Sequence, residues 1–115
     1  MNTEQDLASR QCTPCKGGAT AMTRTEAQTG LSRLTGWELN EDGKMICRRF
    51  RFKNFHQTMA FINAMASIAN AQDHHPDFSA GYNYCLVNYT THAIGGLSEN
   101  DFICAARVTA LATAP

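Results

Sequence analysis

The spacing of apolar and polar residues divides the chain into helices and strands. Apolar residues recur every three or four positions from Phe55 to about Ala71, which predicts a helix with one face against a core. Alternation instead predicts strands over Met45–Phe52 and Tyr84–Thr91, with shorter strands over Trp37–Asn40 and Phe78–Tyr82. A long helix therefore lies between two β-hairpins.

Cap and turn residues predict where these elements begin and end. Thr23 or Thr25 is suited to cap a first helix, Asn54 to cap the long helix, and Ser98 to open a last helix. Asp42-Gly43 is a hairpin turn signal. The predicted order is α-β-β-α-β-β-α, a single α+β domain in which helices pack on one face of a four-stranded antiparallel sheet.

Residues 1–22 are polar and lack periodicity, which predicts an extended or partly disordered N-terminal arm before a domain over residues 23–115. The arm contains Cys12-Thr13-Pro14-Cys15, with the C-x-x-C spacing of zinc ribbons and redox proteins. A structural zinc site needs four ligands, and no second such pair follows. The motif is therefore either structural or half of a zinc site shared across a dimer.

Composition narrows the class of protein. The 115 residues include 10 basic and 10 acidic ones, so no net charge favours nucleic acid or an anionic membrane. The apolar stretches are too short to span a bilayer. Five cysteines cannot all pair internally, which favours a reducing compartment and a cytoplasmic location.

Three of the four histidines fall between residues 73 and 101. His74 and His75 precede Pro76, where the helix should end, and His92 follows a predicted strand. Neighbouring residues of an extended chain point to opposite sides, so His74 and His75 share a cavity only if the chain bends there. Asp73 or Asp101 can orient one of the rings or support its protonated form.

Three interpretations of this cluster stay open from the residues alone. The imidazoles can form an acid/base site suited to removing a hydroxyl group as water. They can also form a three-histidine metal site, although adjacent histidines lack the i, i+4 spacing of helical metal pairs. In the third interpretation they are structural and satisfied by local hydrogen bonds, as is expected of His56.

The chain resembles the pterin-4a-carbinolamine dehydratases over about residues 24–110. The residues that agree in register are His74-His75-Pro76, Tyr82, Thr90-Thr91-His92, Gly96-Leu97-Ser98-Glu99 and Asp101. Trp37 and the aromatic junction at residues 50–55 match too, and the Cys12–Cys15 motif with Gly17-Gly18 resembles bacterial members. The family commonly carries a charged residue four positions before the first histidine, where this chain has Asn70.

The resemblance implies a hydro-lyase that dehydrates 4a-hydroxytetrahydrobiopterin, or a related pterin, to the quinonoid dihydropterin. This reaction recycles the cofactor of aromatic amino-acid hydroxylases. His74, His75 and His92 would surround the C4a hydroxyl group. One of His74 and His92 would be the general acid, and His75 or the other would take the proton from N5. No metal or organic cofactor is expected.

The resemblance also implies substrate-binding roles for five further residues. Trp37 would form a wall of the pocket, and backbone groups around Thr90 and Thr91 would hold the amide edge of the pterin. Asp101 would orient the polar network, and Asp73 would stand in for the missing carboxylate.

Self-association as a homodimer or a dimer of dimers is implied as well. The competing class is a non-catalytic dimerisation or transcriptional cofactor protein, a second role known in the vertebrate member of the family.

Overall fold

The computed structural model describes residues 3–14 and 19–113 of the chain. The elements in chain order are α1 (Glu4–Ala8), α2 (Arg24–Leu31), β1 (Glu38–Leu39), β2 (Ile46–Arg51), α3 (Phe55–Gln72), β3 (Asp77–Ala80), β4 (Tyr84–Tyr89), a short 3₁₀ helix (His92–Ile94) and α4 (Glu99–Thr113). From α2 onward this is the predicted order, and the α+β class is confirmed.

The four strands form one antiparallel sheet in the order β1-β2-β4-β3. In the central pair, Phe50 of β2 lies opposite Cys85 of β4. Alternate residues of β4, namely Cys85, Val87 and Tyr89, are fully buried, whereas the residues between them are half-buried. This period of two puts one face of the sheet against the helices. It follows the alternation in the sequence.

Local side-chain caps fix the helix starts. The Thr23 hydroxyl accepts from the Glu26 amide at 3.1 Å while the Glu26 carboxylate accepts from the Thr23 amide at 2.8 Å, a capping box. Asn54 Oδ1 accepts from the Gln57 amide at 2.9 Å at the start of α3. Each cap satisfies backbone donors that have no partner within the helix. Both helices therefore begin where the sequence predicts.

The core lies between the sheet and helices α3 and α4. Its largest fully buried side chains are Tyr89, Phe102, Leu7, Ile46, Met65, Leu97, Val87 and Val108. Phe55 was expected to open the buried stripe of α3, but it is 50% exposed. It is the first residue of α3, and the buried stripe begins instead at Thr58 and Phe61.

The N-terminal segment contains a short helix where an extended arm was expected. Thr3 and Asp6 form a capping box around α1, and Leu7 is fully buried in the core. Arg107 of α4 donates from Nε to the carbonyl oxygen of Arg10 at 3.1 Å. The sequence has too few apolar residues here to show periodicity, so the helix forms because Leu7 packs on α4.

Strand β3 lies at one edge of the sheet, and all four of its residues are exposed. It begins one residue earlier than predicted and ends at Ala80, because the Gly81 amide donates to the Tyr84 carbonyl oxygen at 3.1 Å and turns the chain into β4. Within residues 3–14 and 19–113, no helix is long and apolar enough to cross a membrane.

Candidate active site

The end of α3 separates the two adjacent histidines. Asp73 adopts the left-handed conformation with φ of 51°, which aspartate tolerates better than most residues. The His74 amide then donates back to the Ala69 carbonyl oxygen at 3.1 Å. After this reversal the His74 side chain is only 11% exposed, whereas His75 lies at the surface. The bend required to bring histidines to a cavity is therefore made at Asp73.

His74 forms a short ion pair with a carboxylate in the interior. Its Nε2 lies 2.6 Å from Oδ1 of Asp101, which is fully buried near the start of α4. The imidazole stacks on the ring of Tyr89, with centroids 5.9 Å apart and planes inclined by 8°. Contacts on the ring edge and the ring face hold this imidazole in one orientation and leave Nδ1 for a ligand.

The second oxygen of Asp101 ties this pair to the backbone. Asp101 Oδ2 accepts from the Thr91 hydroxyl at 2.8 Å and from the Ser98 amide at 2.9 Å. The Ser98 hydroxyl lies 2.7 Å from Thr91 Oγ1 and donates to it, since the Thr91 hydrogen points to Asp101. The carboxylate thus satisfies a donor at the helix start while it orients His74.

Competing effects set the pKa of His74. Burial of the ring lowers its pKa, but the hydrogen bond to Asp101 and the charges of Asp101, Cys12 and Asp73 act in the opposite direction and prevail. The net result is a raised pKa. The surroundings of His74 therefore favour its protonated form.

These residues line a cavity of about 490 Å³, which is within the size range of small-molecule sites. The lining residues are Cys12, Thr13, Pro14, Gln72, Asp73, His74, His75, Thr90, Thr91, His92, Ala93 and Asn100. Six of the eight site residues predicted from the sequence are among them. Asp101 lies directly behind His74 and Thr91.

The other two histidines stand at exposed edges of the cavity. His75 Nε2 lies 3.1 Å from Oδ1 of Asn70. Because an amide oxygen only accepts, Nε2 carries the proton, and the lone pair of a neutral His75 is on Nδ1. His92, in the 3₁₀ helix, has its Nε2 3.8 Å from Oδ2 of Asp77, and both side chains are largely exposed.

Three predicted binding residues make contacts other than those expected. Trp37 is not among the lining residues but lies in the core, where its Nε1 donates to Thr109 Oγ1 at 2.8 Å. The Thr90 hydroxyl donates to the Lys44 carbonyl oxygen at 2.5 Å. The Thr91 amide donates to Gly96 at 2.8 Å. These contacts do not support the expectation that Trp37 forms a wall of the pocket.

One wall of the cavity comes from the N-terminal segment, which sequence reasoning missed. The Cys12 amide donates to Gln72 Oε1 at 2.7 Å. The Asn100 side chain accepts from the Thr13 amide at 3.0 Å and donates to the Thr13 carbonyl oxygen at 2.5 Å. The C-x-x-C spacing had marked Cys12, but not its position beside the histidines; Cys15 lies outside the described residues.

A metal site is not assembled from the residues that the structure describes. No group of three or more His, Cys, Asp or Glu side chains among them is close enough to hold an ion. His74 directs Nε2 to Asp101, while His92 lies near Asp77. The arrangement can instead hold a proton on His74 and accept one elsewhere in the cavity.

Comparison with known proteins identifies the family that the chain matches. Residues 20–111 match the family model described as pterin 4 alpha carbinolamine dehydratase. A protein of Nitrosomonas eutropha named "Putative pterin-4-alpha-carbinolamine dehydratase" is 56% identical over 107 residues, which cover 92% of this chain and 93% of that one.

Two solved structures share the fold. A transcriptional coactivator/pterin dehydratase from Brucella melitensis has a TM-score of 0.78 and 32% identity, covering 81% of this chain and 99% of that chain. A pterin dehydratase-like protein described as a RuBisCO assembly factor in the alpha-carboxysome has a TM-score of 0.61 and 28% identity, covering 70% and 93%. The second match shows that the fold also serves a protein named for assembly.

Proposed function

Because the chain belongs to the pterin-4-alpha-carbinolamine dehydratase family, we propose that it is a 4a-hydroxytetrahydrobiopterin dehydratase. The observation that carries this proposal is the ion pair between His74 and the buried Asp101 at the wall of a cavity that His75 and His92 also line. A hydro-lyase needs one group that delivers a proton to the leaving hydroxyl and another that removes a proton from the substrate. In this proposal the histidines of the cavity supply both.

His74 is the general acid in this proposal. The C4a–O bond breaks as His74 gives its proton to the oxygen, which leaves as water. The N5 lone pair forms the new C4a–N5 double bond, so no external electron acceptor is needed. Asp101 favours the protonated imidazole before the transfer, because its charge and hydrogen bond raise the pKa of His74.

His75 takes the N5 proton. Its Nε2–H donates to Asn70, which leaves the Nδ1 lone pair of the neutral ring as the basic site. His92 lies on a further side of the cavity and binds the substrate there. The products are the quinonoid dihydropterin and water. The catalytic cycle is complete when His75 releases its proton to solvent and His74 takes one up from solvent.

The pterin is held by polar groups of the same wall. The Thr91 amide is engaged with Gly96, so we assign the amide edge of the pterin to the backbone of Thr90. Asp73 lines the cavity and adds negative charge near His74. The four described cysteines are free thiols, which fits a cytoplasmic enzyme that recycles the pterin of aromatic amino-acid hydroxylases.

The test is the dehydration of chemically generated 4a-hydroxytetrahydropterin, followed by ultraviolet absorbance with and without a strong chelator. We expect acceleration that survives the chelator and falls by about 100-fold or more in His74→Gln, since a general acid contributes on that order. His56→Gln is the matched control, because His56 is an exposed histidine at the start of α3. Absence of acceleration by the wild-type protein would refute the proposal. Loss on chelation would point to a metal site.

A second candidate is an interaction role, alone or combined with catalysis. Strand β3 is an edge of the sheet that the described residues form, and Phe78 on it is 48% exposed. Exposed edges with apolar side chains pair readily with another chain. We propose that the protein self-associates as a dimer or a dimer of dimers through this edge. Light scattering should then show that Phe78→Lys has a smaller mass than wild type; an unchanged mass would exclude this edge.

A further inference from the structure

Two cysteines meet at the wall of the cavity although they are 92 positions apart in the chain. The Sγ atoms of Cys12 and Cys104 lie 3.5 Å apart. Cys104 is fully buried on α4, whereas Cys12 is partly exposed and lines the cavity. One sulfur is therefore reachable from solvent, and the second lies immediately behind it.

The contact is held from both sides of Cys12 by hydrogen bonds. On one side Arg107 donates to the Arg10 carbonyl oxygen. On the other, the Asn100 side chain pairs with both backbone groups of Thr13. The Cys12 amide itself is bound to Gln72. These bonds connect the segment to α4 and to the end of α3, so the two sulfurs are brought together by the fold.

The two thiols differ in acidity. A hydrogen bond from the Cys104 thiol lowers the pKa of Cys12, and the charges of His74 and Arg107 act in the same direction, against the effects of burial and of the Asp101 charge. The same contact and burial raise the pKa of Cys104. The accessible sulfur is thus the better thiolate, and the buried one keeps its proton.

We propose that Cys12 and Cys104 form a redox pair that closes into a disulfide when the protein meets a hydroperoxide. The Cys12 thiolate attacks one oxygen of the peroxide, the O–O bond breaks, and Cys12 becomes a sulfenic acid while the other oxygen leaves as hydroxide or alkoxide and takes a proton from solvent. The Cys104 sulfur then attacks Cys12 Sγ, and the S–O bond breaks. The released hydroxide takes the Cys104 proton and leaves as water.

Closure needs only a small movement. The sulfurs must approach from 3.5 Å to the disulfide bond length of about 2.05 Å. Cys12 lies in a segment without helix or strand, which can adjust by that amount, whereas α4 is packed in the core. The bond would fasten the N-terminal segment to α4 and fix one wall of the cavity.

The motif offers a competing partner. Cys15 is three residues from Cys12 and can also resolve a sulfenic acid to give a C-x-x-C disulfide. Cys104 is the favoured partner because its sulfur already contacts Cys12. A Cys12–Cys104 bond links the N-terminal segment to α4, whereas a Cys12–Cys15 bond leaves that segment unlinked.

The test maps the bond in the full-length wild-type protein. The reduced protein is treated with a small excess of hydrogen peroxide, its remaining thiols are blocked with N-ethylmaleimide, and it is digested with chymotrypsin without reductant. Cleavage after Phe102 separates Cys104 from Cys85, whereas Cys12 and Cys15 stay on one peptide, so tandem mass spectrometry is used to identify the partner of Cys12. We expect a peptide linking Cys12 to Cys104 with N-ethylmaleimide on Cys15, two hydrogen atoms lighter than the sum of its parts blocked at Cys15 alone. A Cys12–Cys15 bond, or none, would overturn the inference.

Two variants sharpen the result. Cys15→Ser should keep the bond, and Cys47→Ser is a matched control that removes a half-buried thiol of β2 and should behave as wild type. Because the bond closes a long loop, oxidation should raise the midpoint of thermal unfolding by roughly 10 °C, reversibly with dithiothreitol. The same rise in Cys104→Ser would contradict the pairing. If that variant does not fold, the wild-type peptide map still decides.

Discussion

Replacement of Asp101 by asparagine tests whether one carboxylate both orients the acid and fastens the start of α4. The amide oxygen that Asp101→Asn introduces can still accept from the Thr91 hydroxyl and the Ser98 amide, which lie 2.8 and 2.9 Å from the native Oδ2. The amide nitrogen replaces Oδ1, which lies 2.6 Å from His74 Nε2. The variant therefore loses the charge-assisted hydrogen bond to His74, and the two bonds that it keeps go to a neutral amide oxygen.

The loss of the hydrogen bond between Asp101 and His74 sets the expected loss of stability. A hydrogen bond to a charged group contributes about 1.5–3 kcal/mol, so we expect the free energy of unfolding to fall by about 2–3 kcal/mol near pH 6. Both side chains are almost completely buried, so solvent screening is small. Because Asp101 raises the pKa of folded His74, the pair's contribution is complete below the unfolded histidine pKa of about 6.5. It is lost as pH rises through the folded pKa.

Two measurements check this reasoning. Urea unfolding at several pH values should show a difference between wild type and Asp101→Asn that shrinks above neutrality. Proton NMR titration should show that the pKa of His74 falls in the variant. Asp77→Asn is the matched control, because Asp77 faces His92 at 3.8 Å in an exposed pair and should change stability by less than about 1 kcal/mol. An unchanged His74 titration in Asp101→Asn would refute the assigned role of Asp101.

Three further substitutions give distinct expectations. Tyr89→Phe removes a buried hydroxyl without a hydrogen-bond partner among the described residues, so urea unfolding should show equal stability or a gain of up to about 1 kcal/mol; a clear loss would reveal a partner. Gly30→Ala places a Cβ 2.6 Å from Phe102 Cε1 and should cost about 1–3 kcal/mol by the same assay, and a neutral effect would mean that Phe102 yields. Asn70→Glu puts a negative charge beside His75, which should raise the pKa of that base. As the pH is lowered, dehydratase activity should therefore be lost at a higher pH than in wild type; an unchanged pH profile would argue against His75 as the base.

Much of the fold was predictable because its boundaries depend on local signals. Thr23 with Glu26 and Asn54 with Gln57 are caps made by residues three positions apart, so the sequence contains the whole interaction. The turn at Asp42-Gly43 is equally local, and Gly43 has the positive φ of 74° that such a turn requires. Strand periodicity placed Cys85, Val87 and Tyr89 on the buried face for the same reason.

The remaining features depend on contacts between distant residues. Helix α1 has a local cap signal in Thr3 and Asp6, but no apolar periodicity accompanies it, and what fixes the helix is the entry of Leu7 into the core beside α4. The position of Cys12 beside Cys104 likewise depends on how the N-terminal segment lies on α4. Trp37 matched a family position, yet its indole reaches Thr109 in the core. Sequence reasoning identified these residue types but had no means of pairing them.

In the ion pair between His74 and Asp101, the role of the histidine can be separated from the fold, whereas that of the aspartate cannot. His74 contributes its ring to the cavity, to a stack on Tyr89 and to the ion pair with Asp101, so a variant of His74 loses that pair but leaves the hydrogen bonds of Asp101 at the start of α4 in place. Asp101 also satisfies the Ser98 amide at the start of α4 and the Thr91 hydroxyl. A member of this fold that serves only in assembly therefore has reason to retain the carboxylate even where the imidazole is dispensable. For that reason the histidine, and not the aspartate, should be altered to distinguish an enzyme from an interaction protein.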